Sequence, residues 1–124
     1  MGKKVLIADD EPNIVISLEF LMKREGHEVS IARDGQQALD AIRSSRPDLV
    51  LLDVMMPFKT GFEVLQAVRA DEAIAATKIL MLTAKGRETD TAKGLALGAD
   101  AYMTKPFSTK DLAARVRQML GGSA

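Results

Sequence analysis

The chain has 124 residues, with seventeen basic side chains balanced by seventeen acidic ones, a single histidine and no cysteine. That length fits one domain with a sizeable buried core, and balanced charge leaves no broad basic field to hold nucleic acid or an anionic membrane. Lack of cysteine removes disulfide scaffolds, thiolate metal sites and thiol nucleophiles; with no apolar run long enough for a membrane span or a signal core, a cytoplasmic location is expected.

Short apolar runs alternate with amphipathic stretches in five units. Val5 to Ala8 reads as the first strand, and Pro12 suits the first turn of a helix carrying Ile14, Leu18, Leu21 and Met22 at helical spacing up to Gly26. Glu28 to Ala32 reads as strand two. Asp34 with Gln37 can cap the next helix, whose Ala38, Leu39 and Ile42 face inward, and Pro47 precedes a third strand at Leu49 to Leu52. Thr60 with Glu63 makes a capping box for a helix carrying Phe62, Leu65 and Val68. Strand four is expected at Lys78 to Leu82, helix four between Gly86 and Leu97 with Gly98 as its stop, and strand five at Ala101 to Met103. Ser108 with Asp111 caps a last helix through Leu112, Val116 and Leu120, and Gly121 to Ala124 reads as a flexible tail. The alternation predicts an α/β domain over residues 1–120: three layers, doubly wound, with a five-stranded parallel sheet covered on both faces.

The strand ends carry the chemistry. Strand one runs into Asp9 and Asp10, strand three into Asp53, strand four into Thr83, and strand five into Thr104 and Lys105. Binding crevices of open α/β sheets lie beyond the strand carboxyl ends where the winding reverses, which asks for strands one and three to be neighbours. The order 2-1-3-4-5 meets that requirement, although pattern alone leaves strand order open. Three carboxylates brought together repel by roughly 3 kcal/mol per ionised pair at about 5 Å. A raised pKa is one relief; a divalent cation is the better one. Oxygen-only ligands suit Mg²⁺, with Mn²⁺ expected to substitute. Lys105 adds a positive point charge and Thr83 a hydroxyl donor for an anion. The set reads as a phosphoryl-transfer site in which Asp53, alone at its strand end, is the nucleophile and the paired Asp9 and Asp10 hold metal.

These residues resemble the receiver domain of bacterial two-component response regulators, of the chemotaxis-regulator-like kind. The resemblance rests on Asp9-Asp10-Glu11-Pro12, Asp53 with Met56-Pro57 and Gly61, Thr83-Ala84, Gly98-Ala99-Asp100 and Lys105-Pro106-Phe107, in order from Lys3 to about Leu120. It implies a flavodoxin-like fold in the order 2-1-3-4-5. It also implies that Asp53 accepts a phosphoryl group from a sensor histidine kinase or phosphotransfer protein. Asp9, Asp10, Asp53 and the backbone carbonyl of Met55 would hold Mg²⁺, Thr83 and Lys105 would contact the phosphoryl group, and the bond before Pro106 would be cis. Phe58, Lys59 and Thr60 depart from the small and acidic residues often seen before that glycine, which bears on partner choice more than on chemistry.

Each of these residues also has a simpler role open to it. Asp9 and Asp10 can serve as helix caps, Thr83 as a strand-end hydroxyl and Lys105 as a solvated lysine. An aspartate-nucleophile phosphohydrolase would need a general acid two residues after Asp53, where Met55 stands; a flavin carrier would need a phosphate loop where Asp9, Asp10 and Glu11 would repel it. A phosphorylation-independent module would lack part of the constellation. Tyr102 is the expected relay, entering space that Thr83 vacates, and the reshaped surface would be helix four, strand five and helix five. Met55 and Lys85 are expected to lengthen the lifetime of the phosphorylated state by failing to orient water. The expected partners are a kinase and either a downstream protein or a C-terminal output domain, with no membrane and no direct nucleic-acid binding. Because Ala101 replaces an acid often used beside Lys93, Asp111 and Arg115, a monomer or weak phosphorylation-dependent dimer is expected.

Overall fold

The computed structural model describes residues 2–84 and 88–121, with the side chain of Glu88 left out. Lys85 and Gly86, singled out above, lie outside the described residues, as do residues 122–124 of the expected tail. The elements in chain order are β1 (Lys4–Ala8), α1 (Pro12–Arg24), β2 (Glu28–Ala32), α2 (Gly35–Ser45), β3 (Leu49–Asp53), α3 (Gly61–Ala70), β4 (Lys78–Ala84), α4 (Glu88–Ala96), β5 (Ala101–Lys105) and α5 (Thr109–Met119). The five strands form one parallel sheet in the order β2-β1-β3-β4-β5.

Uniformly apolar central strands follow from burial on both faces. Leu6 and Ala8 of β1, Val50 and Leu52 of β3, and Ile79 and Met81 of β4 pack with Ala38, Leu39 and Ile42 of α2 and Phe62, Leu65 and Val68 of α3. The alternate residues Val5, Ile7, Leu49, Leu51, Leu80 and Leu82 pack on the other side with Leu18 and Met22 of α1 and Leu112 and Val116 of α5. Among the described residues no helix is long and apolar enough to cross a membrane.

Helix starts follow local chemistry. Thr60 and Glu63 make the full reciprocal capping box of α3, and Ser108 accepts from the Asp111 N–H at the start of α5. Asp34 accepts from Gln37 N–H as expected, but the Gln37 side chain reaches back to the Arg33 N–H, one residue before the cap. Arg69 fastens the far end of α3, donating to the carbonyls of Gly98, Ala75 and Thr77 and pairing with Asp100 at 2.9 Å. It thereby holds the turn at Gly98, whose φ of 105° suits glycine.

Two strands run further than their apolar residues suggest. β4 extends through Thr83 and Ala84, and β5 through Thr104 and Lys105, because Thr83 pairs with Thr104 and Ala84 with Lys105 in the ladder. Backbone pairing continues after the hydrophobic signal stops, so Thr83 and Lys105 sit on the sheet itself rather than in a loop beyond it.

Candidate functional site

Period-2 alternation brings the charged groups together. Residues 5, 7, 49, 51, 101 and 103 face the α1/α5 side, so Asp9, Asp53 and Lys105 continue the same faces of β1, β3 and β5 at their carboxyl ends. The Lys105 ammonium lies 2.9 Å from Asp9 Oδ2, 3.0 Å from Glu11 Oε1 and 3.3 Å from Asp53 Oδ1. Asp9 is fully buried and Asp53 is 5 % exposed, whereas Asp10 is exposed. Asp9 Oδ1 accepts from the Glu11 N–H at 2.9 Å, a local bond that does not cap α1, whose N-cap is Glu11 with no side-chain cap bond. Its Oδ2 touches the ammonium without hydrogen-bond alignment and has no hydrogen-bond partner. The contact is therefore chiefly ionic.

One ammonium faces three carboxylates, and the imbalance perturbs both Asp53 and Lys105. Burial, and then the charge of Asp9, push the Asp53 carboxyl up to about 7 even though Lys105 opposes the shift. Burial pulls the Lys105 ammonium down, but Asp9, Asp53 and Glu11 together more than reverse this, so its pKa is raised.

Carboxylate oxygens of Asp9, Asp10 and Asp53 all lie within 4.8 Å of one another. Octahedral Mg²⁺ with ligands at about 2.1 Å places opposite oxygens roughly 4.2 Å apart, so small side-chain movements would suffice. The oxygen-only donor set and the unsatisfied buried Asp9 Oδ2 fit such an ion. Met55 lines the same cleft, of about 340 Å³, with Asp10, Glu11, Asp53, Ala84 and Lys105.

Thr83 and Tyr102 lie on the opposite face of the sheet from Asp53, sharing the side of Met81. Thr83 is 1 % exposed and its Oγ1 has no hydrogen-bond partner among the described residues. Tyr102 is partly buried: its hydroxyl is shielded from solvent, and the ring covers Gly94 of α4. A Cβ at Gly94 would come within 2.6 Å of that ring. The Lys105–Pro106 peptide bond is cis.

The sequence names Glu11 and Gly61 as motif residues but not what they do. Glu11 stands there as a motif residue and a repelling charge, yet it is a partner of Lys105; its neighbours in the acidic run are the available signal. Gly61 marks a close approach, since a Cβ there would fall 2.3 Å from the Asp53 carbonyl oxygen. His27, in the turn before β2, accepts from the Lys3 N–H and stands apart from this cluster.

A doubly wound parallel sheet in the order β2-β1-β3-β4-β5, with acids, a hydroxyl and a lysine at its carboxyl edge, is the flavodoxin-like architecture of signalling receivers. The chain belongs to the response regulator receiver domain family, which it matches over residues 5–117. It is similar to the receiver domain of the Francisella response regulator 1452, at 31% identity over 99% of this chain and 100% of that one, with a TM-score of 0.89. It is equally similar in fold to the chemotaxis response regulator CheY4 of Vibrio cholerae, at 34% identity, 96% and 99% coverage and a TM-score of 0.89. The receiver domain of the sensor histidine kinase PA1611 from Pseudomonas aeruginosa PAO1 is 27% identical over 98% of this chain and 99% of that one, with a TM-score of 0.89; its structure has a magnesium ion coordinated in the active-site cleft. Receiver domains are switches of two-component signalling, generally phosphorylated on an aspartate by a histidine kinase, and are not turnover enzymes.

Proposed function

We propose that this receiver works as a phosphorylation switch whose acceptor is Asp53. The observation that carries the proposal is the placement of Asp53 at a central strand end, 3.3 Å from the Lys105 ammonium and beside β4, whose Thr83 hydroxyl has no hydrogen-bond partner among the described residues. A carboxylate oxygen of Asp53 attacks phosphorus. The new O–P bond forms as the N–P bond of a phosphohistidine breaks, and the freed imidazole takes a proton from solvent. Lys105, already a cation, holds one equatorial oxygen, and Thr83 donates its hydroxyl to another.

Asp9, Asp10, Asp53 and the backbone carbonyl of Met55 would hold Mg²⁺, and Mn²⁺ would be able to replace it. Such an ion would supply positive charge to offset the carboxylates and the charge that develops on the phosphoryl oxygens. Lys105 leaves its contacts with Asp9 and Glu11 to follow the phosphoryl group. Movement of Thr83 frees space on the α3/α4 face, into which Tyr102 shifts from its seat on Gly94, reshaping α4, β5 and α5. Met55 and Lys85 limit the approach of hydrolytic water. The phosphoryl donor is a sensor histidine kinase or phosphotransfer protein, and the readout is a downstream protein or an attached output domain. Association is weak at most, since Lys93, one of the charges expected on a dimer face, sits 4.6 Å from the Phe62 ring centroid in its own subunit.

Acetyl phosphate with Mg²⁺ tests the reading. Intact mass should rise by one phosphoryl group, and Asp53→Asn or chelation of the metal should abolish the gain. Labelling that persists in the Asn variant would refute Asp53 as acceptor.

A further inference from the structure

The loop between β3 and α3 is closed and braced. Gly61 N–H donates to the Val54 carbonyl at 2.8 Å, and the Pro57 carbonyl accepts from both Gly35 N–H at 3.2 Å and Lys59 N–H at 2.8 Å. The last of these is an i to i+2 bond across Phe58, whose φ is 67°. That is a γ-turn of the rare, strained sense, and a bulky aromatic is a poor residue for it. The gain from this conformation is not burial, because Phe58 is 85 % exposed, the most exposed large apolar side chain among the described residues. Its ring borders a recess of about 380 Å³ lined by Asp34, Gln36, Gln37 and Asp40. That lining holds two carboxylates and no cation.

We infer that Phe58 is a specificity-determining contact for the phosphohistidine-bearing donor protein; this rests on Asp53 being the acceptor. The argument is one of reach. Phe58 is three residues from Gly61, so their Cα atoms are at most about 11 Å apart, and Gly61 packs against the Asp53 carbonyl. An interface of ordinary size covers about 800 Å² per partner, a disc of roughly 16 Å radius. A donor protein that delivers a phosphoryl group to Asp53 therefore covers the Phe58 ring, whereas a small phosphodonor in the cleft does not touch it. The occupant of the recess is an apolar group of the donor flanked by Lys or Arg, complementary to Asp34 and Asp40. A braced aromatic at the rim loses little freedom on binding, which is what an anchor requires.

The test uses Phe58→Asn, which keeps a residue at ease with positive φ but removes the ring, and Phe58→Tyr, which keeps the ring. Acetyl phosphate is one donor. The other is the histidine kinase of the same genome that donates fastest to wild type, purified and autophosphorylated. Phe58→Asn should take phosphoryl from acetyl phosphate at the wild-type rate, while its KM for the phosphorylated kinase rises at least tenfold with kcat nearly unchanged; Phe58→Tyr should stay close to wild type. A wild-type KM in the Asn variant overturns the inference, and so does loss of acetyl phosphate labelling, which would place Phe58 in the chemistry. Loss of self-association in the Asn variant with kinase transfer intact would assign the ring to a second copy instead. If wild type itself takes no phosphoryl from acetyl phosphate, the acceptor reading fails first, and the two failures are distinct.

Discussion

Replacing Asp53 by Asn should stabilise the metal-free protein, increasingly so as pH rises. Folding lifts the Asp53 carboxyl from 3.8 to about 7, chiefly by burial and the charge of Asp9. Between those values the folded state binds more protons than the unfolded chain, so stability falls with rising pH through this window and stays low above it. A shift of about three units, at 1.36 kcal/mol each, sets a ceiling near 4 kcal/mol, and ions in solution bring the expected gain to about 2–4 kcal/mol. The Asn variant escapes the penalty because its side chain cannot ionise, and Lys105 retains Asp9 and Glu11 as partners. For a domain of this size that is a rise in Tm of roughly 6–20 °C at pH 8, falling towards zero near pH 4. Thermal unfolding by circular dichroism in EDTA at pH 4, 6 and 8 measures it. Saturating Mg²⁺ should narrow the gap, since wild type gains about 2.7 kcal/mol at a hundred times its Kd. A Tm difference independent of pH would refute the reasoning, because burial of an ionised Asp53 could not then be its source.

Mg²⁺ affinity should be flat above pH 7 and fall about tenfold per unit below it, as the ion competes with the Asp53 proton; calorimetric titration from pH 5.5 to 8 checks this. Lys105→Ala should destabilise the metal-free protein by about 3 kcal/mol by leaving Asp9 buried without its cation, and in denaturant titrations Asp53→Asn should offset part of the loss, a coupling expected of residues in contact. Gly61→Ala should lower Tm and slow acetyl phosphate labelling together, because the added Cβ, 2.3 Å from the Asp53 carbonyl oxygen, moves the end of β3. Met55→Asn combined with Lys85→Glu should hasten decay of the phosphorylated protein in excess Mg²⁺ after donor removal, and an unchanged half-life would exclude these positions from control of the lifetime.

Strands and caps were readable because each is written in local chemistry. Leu49 to Leu52 is apolar at every position, as a strand covered on both sides must be, and Thr60 with Glu63 closes a bond pair within four residues. The acids were readable for a topological reason: in a parallel sheet every strand delivers its last residue to the same edge. Contacts set by packing between distant segments were not readable. Glu11 on Lys105 spans 94 residues, and Tyr102 over Gly94 depends on how α4 settles on β5. Lys93 over Phe62 depends on α4 meeting α3. Phe58 at positive φ was the hardest, since nothing in a Pro-Phe-Lys sequence announces a residue in the left-handed region.

The costs of this fold gather at one edge of the sheet. At the amino ends of the strands the backbone is tied: Lys4 N–H donates to Asp48, the Glu28 N–H to the Lys3 carbonyl, and the Lys78 ammonium to the Met119 carbonyl. At the carboxyl ends stand a buried carboxylate pair, a buried hydroxyl with no partner among the described residues and, just beyond β3, a strained aromatic, each of which an optimiser of stability would remove. Such groups persist where their unfavourable ground state is relieved by something that binds. On the proposed reading, Asp9 and Asp53 would be relieved by a cation and Thr83 by an anion that can accept its hydroxyl, while a donor surface would cover the exposed Phe58 ring without relaxing its backbone. These three occupants differ in kind but fit one event: a phosphoryl group brought by a protein to a metal-bound aspartate. Phosphorylation of Asp53 would then remove several local penalties at once, and a charge placed at one strand end would in that way bias the packing of α4 on β5.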